Sequence, residues 1–230
     1  MDLELLDLLA RVDTPTVCNA IEVVQGKRGF QGFTRSTMIC TEPGRVLVGY
    51  AATAQIAALA PSMEAPEVLK ARRMAYYRAM HDAPKPSVAV IEDLDYPNCI
   101  GAYWGEINTT IHKGFGMSGA LTNGVVRDLG DLAKDFPVIA GSIGPSHGFV
   151  HVRSIGQTVR VMGLEVRQGD LVHADRHGAV VVPVEVIARL TAAIRKLQET
   201  ERLVLDPARK PGFDFAAFEA AWGAFEKART

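Results

Sequence analysis

Apolar residues recur at helical spacing in the opening segment, at Leu5, Leu6, Leu8, Leu9 and Val12, and predict an amphipathic helix. Thr14 followed by Pro15 is a start signal, with Thr14 as N-cap and Pro15 in the first helical position. That second helix runs to about Gly26. Gly26, Gly29 and Gly32 mark a loop. Residues 45–57, rich in valine and alanine, read as one strand or two. Ser62 to about His81 reads as a helix with a charged face of Glu67, Lys70, Arg72, Arg73 and Arg78, stopped by Pro84 and Pro86.

From Ser87 to Ile91 the chain reads as a short buried strand, and Gly105 to Lys113 as a helix closed by Gly114. Residues 119–126 read as the next strand, Leu129 to Asp135 as a short helix, and Pro137 to Ala140 as a further strand. Strand and helix in alternation predict a parallel α/β unit. After Gly148 the pattern changes. Residues 149–183 alternate short β-branched runs with Gly156, Gly163, Gly169 and Gly178, as antiparallel structure does, and Val180 to Val182 closes that section. A helix is expected from about Val184 to Leu205, then a linker at Pro207, Pro211 and Gly212. The tail places Phe215, Phe218, Trp222 and Phe225 on one helical face. So apolar a stripe must be covered, by the parent domain or by a neighbouring subunit. The reading is one α/β domain over residues 1–206 and a linker with an amphipathic helix over 207–230.

Composition narrows the function classes. The chain has 230 residues, 48 % of them hydrophobic and 22 % charged, with a formal net charge of −1. That balance gives no electrostatic reason to expect nucleic acid or a membrane surface as partner. No apolar run approaches the roughly 20 residues of a membrane helix, and the acidic start at Asp2 and Glu4 is unlike a secretory signal. Cys18, Cys40 and Cys99 are dispersed, a poor disulfide framework and a poor zinc site. A reduced, cytoplasmic, enzyme-sized protein is expected.

Candidate chemistry follows from topology. In a parallel α/β unit, strand C-termini and helix N-termini share one sheet edge, where ligands bind. Glu106 falls at a predicted helix start, and Arg127 and Asp128 at a predicted strand end, so the crossover brings all three to that edge. The backbone amides of Gly105, Glu106, Ile107 and Asn108 lack intrahelical partners and can bind a carboxylate, with Gly105 permitting close approach. Arg127 can grip a carboxylate or keto oxygen by its planar fork. Asp128, with or without Glu106, offers hard oxygen ligands for Mg²⁺ or Mn²⁺, which would polarise a 2-oxo group. Each residue also has a plainer reading: Asp128 as the N-cap of the helix after it, Arg127 as a surface ion pair, Glu106 as a dipole partner.

The run Gly105-Glu106, then twenty residues, then Arg127-Asp128 resembles the RraA-like family, which includes 4-hydroxy-4-methyl-2-oxoglutarate aldolases. Residues Thr14 to Ile21, Phe136 to Val138, Gly169 to Val172, and Asp175 with Gly178 to Pro183 are also similar to segments of that family. The resemblance implies a fold like a swivelling β/β/α domain and a homotrimer with active sites between subunits. It implies a metal-dependent aldolase or oxaloacetate decarboxylase that passes through a pyruvate enolate. Arg127, Glu106 and Asp128 would carry catalysis; the backbone at Gly105 to Asn108 and Arg127 would bind the 2-oxo acid. Asp128 would hold the divalent metal, most simply Mg²⁺ with Mn²⁺ as the alternative, and Glu106 would sit near it through water. A glutamate from a neighbour's C-terminal helix completes the family site; Glu199 and Glu201 are the candidates. Family members that regulate a ribonuclease carry glycine at the position of Glu106, so the alternative is a non-catalytic trimer with a ribonuclease partner. Departures from the family pattern lie at Asn19, Asn123-Gly124 and Ile107-Asn108, where Asn108 would add a polar group beside the substrate pocket.

Other constellations carry less. His147 and His151 flank Gly148 and could be ligands only on a helix. His173, Asp175 and His177 would share one face of a strand, as a second polar site or as a solvated sheet face. Gly114, Gly116 and Gly119 lack the P-loop lysine and the dinucleotide fingerprint and read as a turn.

Overall fold

A computed structural model describes residues 3–229. Helices α1 (Leu3–Leu9) and α2 (Thr14–Gln25) lead to β1 (Ile39–Cys40) and the long strand β2 (Leu47–Ala57). Helix α3 (Pro66–Asp82) crosses to β3 (Ser87–Asp93), followed by β4 (Ala102–Trp104), α4 (Glu106–Gly114), β5 (Gly119–Thr122) and β6 (Val125–Val126). Then come β7 (Val138–Ala140), β8 (Ser142–Ile143), β9 (His151–Ile155), β10 (Val159–Val161), β11 (Leu164–Val166), β12 (Leu171–Asp175) and β13 (Gly178–Val182). A single 3₁₀ turn (Val184–Val186), α5 (Ile187–Ala208) and α6 (Phe215–Arg229) end the chain. Among the described residues no helix is long and apolar enough to cross a membrane.

Strands β7, β5, β3 and β2 form a parallel core in that order, with β1 antiparallel on β7. The other edge of β2 is shared: β12 pairs with its first residues, Leu47 to Tyr50, and β9 with its last, Ala54 to Ala57, both antiparallel. Strand β13 completes the sheet beyond β12. Period-two alternation then divides the core. Ala89 and Ile91 of β3, Ala120 of β5 and Val138 of β7 face α3 and α4, packing with Tyr76, Met80 and Trp104. Their neighbours Val88, Val90, Leu121 and Ile139 face the β10–β11 hairpin. Helices α1, α2 and α5 cover the β12–β13 end through Leu5, Leu9, Ile21, Val180 and Leu190. This is the expected β/β/α layering.

Two departures shape the site. The expected single strand over 119–126 is two strands in different sheets, because β5 belongs to the main sheet and β6 to a small parallel sheet ordered β4-β6-β8. The break falls at Asn123-Gly124. The buried Asn123 side chain replaces a ladder rung: its Oδ1 accepts from Asp93 N at 2.7 Å and its Nδ2 donates to Asp93 O at 3.0 Å. Gly141 makes the matching break between β7 and β8; a Cβ there would strike the Asn123 carbonyl, and its amide donates to Gly124 O at 3.0 Å. Secondly, residues 129–135 form turns, not a helix. Asp128 is left-handed (φ 54°), which right-handed helix cannot follow, and Asp131 N closes a turn onto Asp128 O at 2.9 Å. Asp128 is therefore not the N-cap of a helix following it.

Smaller corrections have local causes. The N-cap of α2 is Asp13, whose carboxylate accepts from Thr16 N at 2.9 Å, one residue before the expected Thr14. Thr14 is used elsewhere: its amide donates to Asp175 and its hydroxyl pairs with His173 Nδ1 at 3.1 Å. His173 Nε2 lies 3.0 and 3.1 Å from the carbonyls of Leu9 and Val12, so it is the protonated nitrogen. The expected solvated face at His173 and Asp175 is thus a buried latch holding the N-terminal helices to β12. Pro207, expected in a linker, lies in the last turn of α5, and α6 packs back on α5 of the same chain. Its stripe is only partly covered: Phe215, Phe218, Trp222 and Phe225 stack on one another, and Phe215 stays exposed.

Asn123→Asp keeps the acceptor toward Asp93 N, loses the donor and adds a buried charge, so denaturant unfolding should show a loss of about 2 kcal/mol or more. Burial lowers the pKa of His173 and takes that of His112 down to about 4. The unfolded state then takes up protons first, below pH 6.5. For His112 stability should fall as pH drops from 6.5 toward 4, by up to about 1.4 kcal/mol per pH unit, and His173 acts in the same direction. His112→Asn should flatten that slope in urea titrations between pH 6.5 and 5.

Candidate functional site

The small sheet ends where the candidate residues begin. Strand β4 runs into Gly105 and the first turn of α4, and β6 runs into Arg127 and Asp128. The ladder continues one residue past β6, Arg127 N donating to Trp104 O at 2.9 Å, which sets Arg127 beside the start of α4. The left-handed turn at Asp128 then folds its carboxylate back, so that Oδ2 accepts from Glu106 N at 3.2 Å and lies 3.4 Å from Arg127 Nε. Carboxylate, guanidinium and helix N-terminus are thus one cluster. Side-chain exposures of 32 % for Arg127 and 37 % for Asp128 leave both open to a ligand.

Gly105 has a different use from the one expected. A Cβ there would collide with Asp128 Oδ2 and press on Arg127 Cγ and Nε at 3.2 Å. The glycine makes room for the protein's own pair rather than for a ligand. Asn108 also departs from expectation: its side chain faces inward, donating to Tyr103 O at 2.6 Å and accepting from Tyr77 Oη at 2.8 Å. It anchors α4 to β4 and α3. Thr109, unremarked in the sequence, does the rest, since its buried hydroxyl accepts from Ala133 N at 3.1 Å and ties the loop after Asp128 to the helix. A threonine on the inner face of a short amphipathic helix gives no signal of that in a sequence.

Several groups remain free for a ligand. Asp128 Oδ1 and the two terminal nitrogens of Arg127 have no hydrogen-bond partner among the described residues. The amides of Ile107 and Asn108, in the first turn, have no intrahelical acceptor. The Glu106 side chain is exposed beside them, as is Ile107. Among the described residues no three His, Cys, Asp or Glu side chains converge as a metal cage. The donor set is one anchored carboxylate with a second nearby, which suits Mg²⁺, an ion that keeps several waters and takes one or two carboxylates. Zinc and calcium, which want fuller protein shells, fit it less well.

The site is an open shelf. Two cavities of about 660 and 510 Å³ lie elsewhere, one between α2, α5 and α6, the other beside β9. The remaining sequence candidates take no part in it. His147 and His151 lie in a loop and at a strand start, each with Nδ1 against a main-chain carbonyl. The three cysteines are unpaired and half-buried, and burial pushes the thiols of Cys18 and Cys99 up to about 11 and about 12, so none is a ready thiolate. Glu199 is exposed on α5 and Glu201 faces the larger cavity.

Comparison with known proteins agrees with this architecture. A Methanocaldococcus jannaschii protein, MJ0644, is 30 % identical over 105 residues, which are 45 % of this chain and 50 % of that one. A Halalkalibacterium halodurans protein given the provisional name 4-hydroxy-4-methyl-2-oxoglutarate aldolase is 26 % identical over 119 residues, 51 % of this chain and 56 % of its own. The match spans about half the length of each of these two relatives. Among solved structures, a Pseudomonas syringae pv. tomato protein superposes with a TM-score of 0.72 at 22 % identity, over 100 % of this chain and 94 % of its own. Streptomyces coelicolor RraAS2, described as an unusual member of the RNase ES inhibitor RraA family, gives 0.68 at 23 % identity over 88 % and 96 %. The Aldolase/RraA family pattern matches residues 14–181, and the chain belongs to the RraA-like family.

Proposed function

We propose that this chain is a divalent-metal-dependent carbon–carbon lyase that cleaves a small 2-oxo acid, as an aldolase or an oxaloacetate decarboxylase. The observation that carries the proposal is the cluster at the end of the small sheet: Asp128 and Arg127 side by side against the amide end of α4, with Glu106 exposed beside them. Glycine at the position of Glu106 marks the ribonuclease-regulating members that the sequence resembles, and this chain has the carboxylate instead.

The roles follow from what each group has left to offer. The amides of Ile107 and Asn108 and the outer nitrogens of Arg127 bind the substrate carboxylate and hold the keto oxygen toward Asp128. Asp128 Oδ1 would hold Mg²⁺ or Mn²⁺, with Glu106 bound to it through water. When bound, such an ion would supply a Lewis acid for the negative charge that develops on the keto oxygen. Arg127 stabilises the same negative charge from the other side. Glu106 holds the water that takes the C4 hydroxyl proton of an aldol substrate and returns a proton to C3; with oxaloacetate CO₂ leaves instead, and the same water protonates C3.

An open shelf is a poor place for an enolate, because bulk water weakens every charge interaction there. Exposed apolar side chains flank the cluster: Ile107 (68 %) next to Glu106, Leu129 (51 %) next to Asp128, and Ile143 (54 %), paired opposite Val126. A monomer gains nothing from that patch, and a second copy seated on it would close the site. The assembly proposed is a homotrimer, to which Glu199, exposed on α5, can contribute a carboxylate from one subunit to the next.

Supplied with Mg²⁺ and oxaloacetate, the protein should release pyruvate at a rate abolished by chelation. Asp128→Asn keeps the acceptor for Glu106 N and the tolerance for a left-handed turn. It should lower kcat/KM by about 100-fold or more with unfolding unchanged. Absence of metal-dependent pyruvate from oxaloacetate and from 4-hydroxy-2-oxo acids, with tight binding to a ribonuclease, would establish the regulatory reading instead. Ile143→Asp should shift the protein from trimer to monomer in light scattering and reduce turnover in the same preparation.

A further inference from the structure

We propose that the cavity between α2, α5 and α6 is a second ligand site, for a small organic anion with an apolar body. The site is separate from the Arg127–Asp128 cluster of the same chain, and the argument for it does not rest on the function proposed for that cluster. At about 660 Å³ it falls within the roughly 300–1,000 Å³ of small-molecule pockets and is far larger than an inorganic ion needs.

Its walls have two characters. Lys27 and Arg28 stand on the loop after α2, and Lys196 faces them from α5. None of these three cations joins an ion pair among the described residues. Holding three like charges around one concavity raises its potential and draws in an anion. The apolar part is Val23, Leu197 and Phe225, the last contributed by α6 as a roof.

Two features separate this from cations placed to suit the carbonyl end of α2. Gly26, left-handed at φ 65°, turns the chain so that its own amide and that of Lys27 take the last-turn carbonyls of Val23 and Glu22, each at 3.3 Å. Two of the last four carbonyls are thus taken by the cap's own amides and not by the cations. Glu22, a carboxylate on the same wall, anchors the loop while keeping its charge: its Oε1 accepts from Gly29 N at 2.8 Å and Phe30 N at 3.1 Å. That fixes the segment carrying Lys27 and Arg28 at the mouth of the cavity. Glu201 is the one other carboxylate on the wall, so the balance stays positive.

Calorimetry on the full chain with phenyl phosphate, benzoate, inorganic phosphate and benzyl alcohol tests this. Phenyl phosphate should saturate at one per chain with a Kd of about 1 mM or tighter. Inorganic phosphate should bind about ten-fold more weakly and benzyl alcohol not at all. Benzoate against phenyl phosphate decides which anionic head the site prefers. Arg28→Ala and Lys196→Ala, both at exposed positions, should each weaken phenyl phosphate by about five-fold or more. Phe225→Ala should reduce its advantage over inorganic phosphate, and Arg127→Ala should leave binding unchanged. Lack of saturation, equal binding of phosphate and phenyl phosphate, or dependence on Arg127 rather than on Arg28 and Lys196 would each overturn the proposal.

Discussion

The side chain of Asn123 holds the place where one sheet becomes two. By pairing with both the amide and the carbonyl of Asp93, it does for β3 what a neighbouring strand would have done, and it frees its own backbone to leave the main sheet. An amide suits the position because it carries a donor and an acceptor; a carboxylate would satisfy one backbone group and leave the other bare. Gly141 lets the two departing strands pass close together, and Gly124 leaves room for the Asp93 side chain. From that branch the small sheet β4-β6-β8 projects, and its far edge bears Glu106, Arg127 and Asp128. A shift of the branch by one residue would turn every side chain of β6 to the opposite face and separate Arg127 from α4.

The cluster itself depends on a second local choice, the left-handed backbone at Asp128. Aspartate is among the few residues with a side chain that enter this conformation readily. The conformation swings the carboxylate onto Glu106 N, and Gly105 leaves space for it. One oxygen of Asp128 is thereby fixed and the other left free, which is the condition a coordinating carboxylate needs.

Much of this was legible in the residues. Alternation of strand and helix predicted the parallel core; apolar spacing located α1 and the tail helix, the Thr14-Pro15 signal located α2, and a charged face stopped by prolines located α3 to within a few residues. The Gly105-Glu106 and Arg127-Asp128 pairs were placed at one edge by topology alone. What escaped has physical reasons. Val125 and Val126 lie two residues beyond the short strand-like run 119–122, so periodicity could not see that they join another sheet; the Asn123-Gly124 pair between the two runs was the available turn signal. A helix after Asp128 was reasonable by propensity, and tertiary contact with α4 overrode it. The burial of His173 depends on residues 159 to 164 positions away, a distance no local pattern spans.

The double use of one edge of β2 has a consequence for how the protein is made. Its first residues pair with β12 and its last with β9, strands that lie about a hundred or more positions further along. A ribosome must therefore deliver slightly more than three-quarters of the polypeptide before that edge can close. Until then a long apolar ribbon stands bare, and contacts so remote in the chain form slowly because loop closure comes first. Synthesis should thus be the period in which this protein is most open to misassociation and most dependent on chaperones.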